Sequence, residues 1–319
     1  MKVAIVGGGA WGTALAAVLG ARGVPVALLL RSRERADEVL KARANPRLPG
    51  VRLPPYVRPT ADPEAAFKDA ELAVVALPSR ALPEALKGLP PAPAYLSTTK
   101  GLWFEGGRLR RASEVVAEAV GSDRVAVLSG PNHAEEVGRL LPAAAVVAAR
   151  DPGLARRVQA VFSGPVFRVY TGPDPVGVEL GGALKNVVAL AAGMVDGLAL
   201  GDNAKAALLT RGLAEIVRFG VAFGARRETF YGLSGIGDLV ATATSRHSRN
   251  RWAGERIVRG QDLAGATVEG LPTVRAVHAW AGEQGADLPI VRAVHRIAFE
   301  GADPAHVLTE LMGRAPKEE

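Results

Sequence analysis

Short apolar runs recur through the first half of the chain, each followed by glycine or polar residues. Lys2–Val6, residues 24–30, 72–77, 94–97, 125–128, Ala143–Ala149 and 166–170 fit buried β-strands, and several intervals between them read as helical. Such alternation predicts an α/β fold with a mainly parallel, doubly wound sheet whose ligands lie at the carboxyl ends of its strands. Three of those ends run into polar loops: Pro78-Ser79, Thr98-Thr99-Lys100-Gly101 and Ser129-Gly130-Pro131-Asn132-His133. Reacting groups are expected to meet there.

The pattern changes at Thr171-Gly172-Pro173-Asp174-Pro175, where turn residues crowd together. No strand alternation follows. Residues 204–219, 248–258, 273–284, Pro289–Phe299 and 304–311 carry helical periodicity, so the chain divides into an α/β domain over 1–173 and an all-α domain over 174–319. A short charged tail, Lys317 to Glu319, closes it.

Residues 178–216 stand apart, because their first half is small and apolar almost throughout and predicts a helix buried all round. Glu179, Lys185 and Asn186 fall inside it. An unpaired ammonium there is costly and takes a partner, a depressed pKa, or both. A lone helical lysine is most often a salt-bridged structural group, but composition weighs against that here. The chain has eight Lys against 31 Arg, and only five Asn, yet Lys100, Lys185 and Lys205 all sit in small-residue settings.

With 319 residues, 48% hydrophobic and 22% charged, the sequence is long enough for two well-covered cores and ordinary for a soluble protein. No apolar run is read as a membrane span and the first strand begins at Lys2, so a cytoplasmic location is expected. The net charge of +7 comes from scattered Arg without interleaved aromatics, which suits an anionic small molecule better than nucleic acid. Absence of Cys excludes disulfides, thiolate metal sites and cysteine nucleophiles. The five His show no HxxxH or HxH spacing, so no metal site is indicated. Abundant Arg, Ala and Pro fit a thermophile or a high-GC genome.

Gly7-Gly8-Gly9-Ala10-Trp11-Gly12 lies between the first strand and an Ala/Leu helix. Strand, GxGxxG and helix together point to a dinucleotide, with Gly7, Gly9 and Gly12 permitting the tight turn and the diphosphate on the helix N-terminus. Where an NAD site would carry an acidic residue, this chain has Arg31, Ser32 and Arg33, so NADPH is expected to serve at least as well as NADH. His133 is a candidate acid/base group, though one loop histidine is more often structural. Three polar clusters interrupt the helices: Asp202, Asn203, Lys205 and Arg211; then residues 232–242; then residues 244–251. In the third, Ser248 is a plausible N-cap and Arg249 and Asn250 occupy the first turn, a good phosphate receptor.

The motifs GGGAWGTALA, TTKGL, SGPNHAEE, ELGGALKNVVALAAG, GDNAKAALLTRGLAEI, GLSGIGDLVATATS with SRNR, and VEG run in order along nearly the whole chain. They closely resemble the motif series of bacterial-type NAD(P)-dependent sn-glycerol-3-phosphate dehydrogenases. The resemblance implies a Rossmann domain joined to a helical domain, commonly as a homodimer. The implied reaction is reversible reduction of dihydroxyacetone phosphate to sn-glycerol 3-phosphate, feeding phospholipid synthesis. It implies Lys185 as the general acid/base, with Lys100 and Asp238 at the reacting end. Gly130, Asn132, Asn186 and Thr242 would line the substrate, and Ser248, Arg249 and Asn250 would hold its phosphate. For the cofactor it implies Ala10, Trp11, Arg31, Lys100, Ala134, Arg249, Thr267 and Glu269, beside the glycines, Ser32 and Arg33. One departure stands out: the family usually has Ser or Thr where this chain has Asn132.

The bottom-up chemistry agrees. Reduction of a carbonyl leaves an alkoxide in need of a proton, which an ammonium at Lys185 donates and a neutral amine accepts in reverse. Burial and a neighbouring Lys100 are expected to lower its pKa toward neutrality, with Asp238 orienting it. A β-hydroxyacid dehydrogenase is the nearest rival, but the Asn usual four residues past its lysine is Ala189 here. A UDP-sugar dehydrogenase would need a Cys. An NADP sensor without turnover would need neither a buried lysine nor a phosphate cluster.

Overall fold

The computed structural model describes residues 1–313; the tail at Lys317 to Glu319 lies outside the described residues. The chain opens with β1 (Lys2–Val6), α1 (Ala10–Ala21), β2 (Val26–Leu29), α2 (Arg33–Ala42), β3 (Val57–Thr60), α3 (Pro63–Phe67), β4 (Ala70–Val75) and α4 (Leu82–Leu86). It continues with β5 (Tyr95–Ser97), β6 (Leu102–Glu105), β7 (Arg108–Arg111), α5 (Ala112–Val120), β8 (Val125–Ser129), α6 (Ala134–Val137), β9 (Ala143–Ala149), α7 (Pro152–Phe162) and β10 (Phe167–Gly172). The main sheet runs β10-β9-β8-β5-β4-β1-β2-β3 and is parallel except where β9 meets β8.

Strand β1 shows why these runs are apolar without alternation. Val3 and Ile5 enter one hydrophobic layer, with Leu15, Leu19 and Phe162, while Ala4 and Val6 enter the layer on the other face, with Phe67 and Tyr95. A strand covered on both faces has no polar side. Two features went unread in the sequence. Edge strand β3 contains Pro59, whose missing N–H an edge tolerates. The β6–β7 hairpin turns through Gly106 and Gly107, both at positive φ (58° and 73°), which a two-residue hairpin turn requires.

Among the described residues, helices alone follow Gly172: α8 (Pro175–Gly197), α9 (Gly201–Ala222), α10 (Asp238–Thr244), α11 (Arg249–Val258), α12 (Gly270–Gln284), α13 (Pro289–Phe299) and α14 (Pro304–Met312). Asp174 caps α8, accepting from Gly177 N at 2.9 Å, and Pro175 follows at the first turn. Every residue of α8 from Gly177 to Met194 is buried. Contrary to the sequence expectation, this helix is long and apolar enough to cross a bilayer, but 89% of its most apolar window is buried in the fold.

α8 presents Asn186, Leu190, Gly193 and Gly197 as one stripe toward α11, where the backbones nearly touch. A Cβ on Gly193 would lie 1.8 Å from the Arg251 carbonyl oxygen. Gly193→Ala gains about 1 kcal/mol of helix propensity but forces the helices apart, at an overpacking cost of about 1–3 kcal/mol. The net loss of up to about 2 kcal/mol should lower the melting temperature by up to about 8 °C in a thermal-shift assay; a raised value would mean the helices separate freely.

Candidate active site

Three elements deliver the charged centre. Lys185 projects from the middle of α8, Asp238 opens α10, and Lys100 follows β5. Lys185 Nζ donates to Asp238 Oδ1 at 2.9 Å and also to the Thr242 hydroxyl. Lys100 Nζ donates to Asp238 Oδ2 at 2.5 Å and to the Gly130 carbonyl at 3.3 Å. One carboxylate therefore bridges two ammonium groups. Thr242, one turn along α10, donates to the same Asp238 oxygen at 3.2 Å. Asp238 reaches α8 because the preceding turn passes very close to it: a Cβ on Gly181 would stand 2.5 Å from the Ser234 carbonyl oxygen.

Burial depresses the Lys185 pKa to about 8; Lys100 pushes the same way and Asp238 opposes both. For Asp238, burial raises the pKa, but Lys100 and Lys185 together outweigh it and hold the carboxyl below its ordinary value. The carboxylate thus stays charged while Lys185 is poised to gain or lose a proton near neutrality. This arrangement can exchange a proton with a carbonyl or alcohol oxygen.

The glycine-rich turn lies between β1 and α1. Gly7 sits at φ 121°, and a Cβ on Gly12 would lie 2.0 Å from the Gly7 carbonyl oxygen, so Gly12 lets helix and turn close together. Gly9 precedes α1 without a side-chain cap, and a Cβ there would meet nothing within 4 Å. The open space and uncapped N–H groups before Ala10 and Trp11 fit a diphosphate. Beyond β2, Arg31 and Arg33 are exposed, and Ser32 caps α2 by accepting from Arg35 N at 3.4 Å. Ala134 opens α6.

Glu269 reaches back to the α/β half, accepting from Ser79 N at 3.1 Å, and the Thr267 hydroxyl accepts from Arg80 at 3.4 Å. Ser79 was legible only as a polar strand end; its backbone partnership was not. Burial raises the Glu269 pKa against the pull of Ser79 and Arg249.

At the other end, Ser248 caps α11, accepting from Arg251 N at 3.2 Å, as its position in the sequence suggested. Arg249 is exposed and makes no hydrogen bond or ion pair among the described residues, so it remains available to a ligand anion. Asn250 is more committed. Its amide donates to Asn186 Oδ1 at 2.8 Å and its oxygen accepts from Gly270 N at 2.9 Å, leaving one N–H for a ligand.

Several other candidates have partners within the fold. Asn132 donates to the Ala144 and Pro131 carbonyls, each at 2.9 Å, fastening the Gly130 loop to β9, while its Oδ1 stays buried and unpartnered among the described residues. His133 Nε2 lies 3.2 Å from the Ala241 carbonyl, and burial lowers its pKa, so it serves as a neutral donor holding α10. Glu179 pairs with Arg111 at 3.1 Å and accepts from Ser113 N at 2.7 Å, joining α8 to the start of α5. Lys205 is remote from Asp238's cluster and binds Asp196. His278, His295 and Glu300 converge within 4.8 Å, which sequence spacing could not reveal because His278 comes from α12 and the other two from the end of α13. The two imidazoles are stacked at 3.8 Å and 15°, so their in-plane lone pairs cannot point at one ion.

Comparison with known proteins gives the family. The family profile described as NAD-dependent glycerol-3-phosphate dehydrogenase N-terminus matches residues 2–155, and the C-terminus profile matches residues 174–309. A glycerol-3-phosphate dehydrogenase [NAD(P)+] of Thermus thermophilus is 61% identical over 100% of both chains. One from Deinococcus radiodurans is 53% identical, over 99% of this chain and 96% of its own. The crystal structure of glycerol-3-phosphate dehydrogenase from Coxiella burnetii superposes with a TM-score of 0.91 at 37% identity, covering 98% of this chain and 99% of that one. A ketopantoate reductase from Ralstonia eutropha, at 16% identity and a TM-score of 0.62, shares the fold alone. On both profile matches and these identities, the chain belongs to the NAD-dependent glycerol-3-phosphate dehydrogenase family.

Proposed function

We propose that this chain catalyses the reversible reduction of dihydroxyacetone phosphate to sn-glycerol 3-phosphate with NAD(P)H. The observation that carries the reading is the Asp238 carboxylate bridging Lys185 and Lys100, with uncommitted Arg249 on the neighbouring helix α11. A reduced nicotinamide dinucleotide held by Gly7, Gly9, Gly12, Ala10 and Trp11 supplies hydride chemistry. Lys185 donates its proton to the ketone oxygen as negative charge develops there, and as the neutral amine it accepts the alcohol proton in the reverse direction. Lys100 adds a second positive charge, and Asp238 fixes both ammonium groups without neutralising their sum. Arg249 and the first turn of α11 bind the phosphate.

The reacting centre lies between a dinucleotide-binding half, 1–173, and a second half that begins at residue 174 and is helical over its described residues. We further place the enzyme in the cytoplasm as a homodimer supplying glycerophospholipid synthesis. Absorbance at 340 nm with dihydroxyacetone phosphate, compared with tartronate semialdehyde, tests the assignment. Preferential turnover of the carboxylate would favour the hydroxyacid dehydrogenase reading instead.

Exposed Arg31 and Arg33 suit a ribose 2′-phosphate, which supports NADPH serving at least as well as NADH. Arg31→Asp removes one charge-assisted contact and adds repulsion, so the NADPH:NADH ratio of kcat/KM should fall by about 10- to 100-fold. A ratio unmoved by the substitution would place the 2′-phosphate elsewhere.

A further inference from the structure

The GDNAKAALLTRG cluster finds no place in the chemistry above, yet it connects to the phosphate end by a short path. Asp196, in the last turn of α8, accepts from Lys205 Nζ of α9 through both oxygens at 2.7 Å. Asp196 Oδ2 also accepts from Arg251 Nε of α11 at 2.5 Å, and Arg251 Nη2 pairs with Glu255 at 2.8 Å. The four side chains balance in charge and are largely covered, with 16 to 23% of each exposed.

Arg251 is held at both ends. Its backbone N–H is bound by the N-cap hydroxyl of Ser248, and its guanidinium by Asp196 across on α8 and by Glu255 on α11 itself. Arg249 and Asn250 lie between those two anchors, so the orientation of the first turn of α11 depends on both. Gly193 sets how closely α8 and α11 approach, through contact with the Arg251 carbonyl, but such contact gives no directional restraint against sliding or rotation. Two polar contacts supply one: the Asn250 amide donates to Asn186 Oδ1 at 2.8 Å, and Asp196 binds the guanidinium of the next residue, Arg251, with the added strength of a charge pair. Asp196 stands eleven residues after Lys185, three helical turns along the same face and about 16 Å away. One helix therefore carries the proton-transfer group and the anchor of the phosphate-binding turn.

We propose that Asp196 is a positioning residue for the substrate phosphate, acting through Arg251 to fix the turn that presents Arg249 and Asn250. This rests on the proposed reduction of dihydroxyacetone phosphate. Asp196→Asn keeps the size and hydrogen-bonding oxygen but removes the charge that ties the guanidinium to α8, leaving it only Glu255 on its own helix. The KM for dihydroxyacetone phosphate should rise by roughly 5- to 20-fold, while kcat and the KM for NADPH stay within about twofold. Competitive inhibition by inorganic phosphate should weaken in parallel, whereas kcat/KM for unphosphorylated dihydroxyacetone should hold.

Lys205→Met removes the other partner and leaves Asp196 paired with Arg251, so its KM for dihydroxyacetone phosphate should remain near wild type. A lower melting temperature in Asp196→Asn with both phosphate readouts unchanged would reduce Asp196 to a structural role and overturn the proposal. Equal losses for phosphorylated and unphosphorylated ketones would overturn it too. Wild-type enzyme inert toward dihydroxyacetone phosphate would instead sink the functional reading itself, a separate outcome.

Discussion

Lys185→Ala should lower kcat for ketone reduction by about 10² to 10⁴, the range expected when a general acid is lost, while a fluorescence titration shows NADPH binding largely kept. The separation follows from position: Lys185 is on α8, and the glycine-rich turn that receives the dinucleotide lies between β1 and α1. Lys185→Arg sharpens the test, since a guanidinium keeps the charge but cannot release a proton near neutrality. If the ammonium acted only through its charge, Arg would restore much of the rate; if proton transfer matters, it would not. The pH profile carries the same claim. With the Lys185 pKa near 8, ketone reduction requires the protonated form and should decline as pH rises through that value. Alcohol oxidation requires the free amine and should increase over the same interval. Near-normal turnover in Lys185→Ala would remove this residue from proton transfer.

Arg249→Ala should act on a different constant. Deleting a charge-assisted contact to phosphate should raise the KM for dihydroxyacetone phosphate by about 10- to 100-fold, with a smaller effect on kcat. Arg249 is suited to this because it is exposed and unpaired among the described residues, so no internal ion pair must break before it takes an anion. The substitution should leave the melting temperature nearly unchanged for the same reason. Steady-state kinetics with the phosphorylated ketone decide it: a KM that stays put assigns the phosphate to other groups. Because Glu269 feels the Arg249 charge, a modest change in cofactor KM is also expected.

Some residues read from the sequence gain further partners in the structure. Asn250 resembles a phosphate ligand and keeps one N–H for that use, while its contacts with Asn186 and Gly270 also make it a link between α8, α11 and α12. Asn132 stands where the family usually has Ser or Thr, and its longer amide reaches the Ala144 carbonyl of β9. Lys205 looked like Lys185 by composition, yet its amine meets an aspartate of the adjacent helix turn and leaves the reacting centre alone. No local pattern separates these cases, because each depends on what a neighbouring element places beside the side chain.

The sequence by itself determined whatever depends on near neighbours or on the total burial of a segment. The turn at Gly7 to Gly12, the cap at Ser248 and the enclosed α8 are of this kind, since backbone sterics, helix ends and apolar content act over a few residues. It also marked Lys185 as anomalous, because an ammonium in apolar surroundings needs an explanation wherever the chain goes. Only the tertiary structure decided what that explanation is. Asp238 is 53 residues from Lys185 and 138 from Lys100, and the packing of α10 against α8 and the β5 loop brings all three within hydrogen-bonding distance. Electrostatic coupling depends on separation in space and exclusion of water, and neither is written in the spacing of residues along a chain.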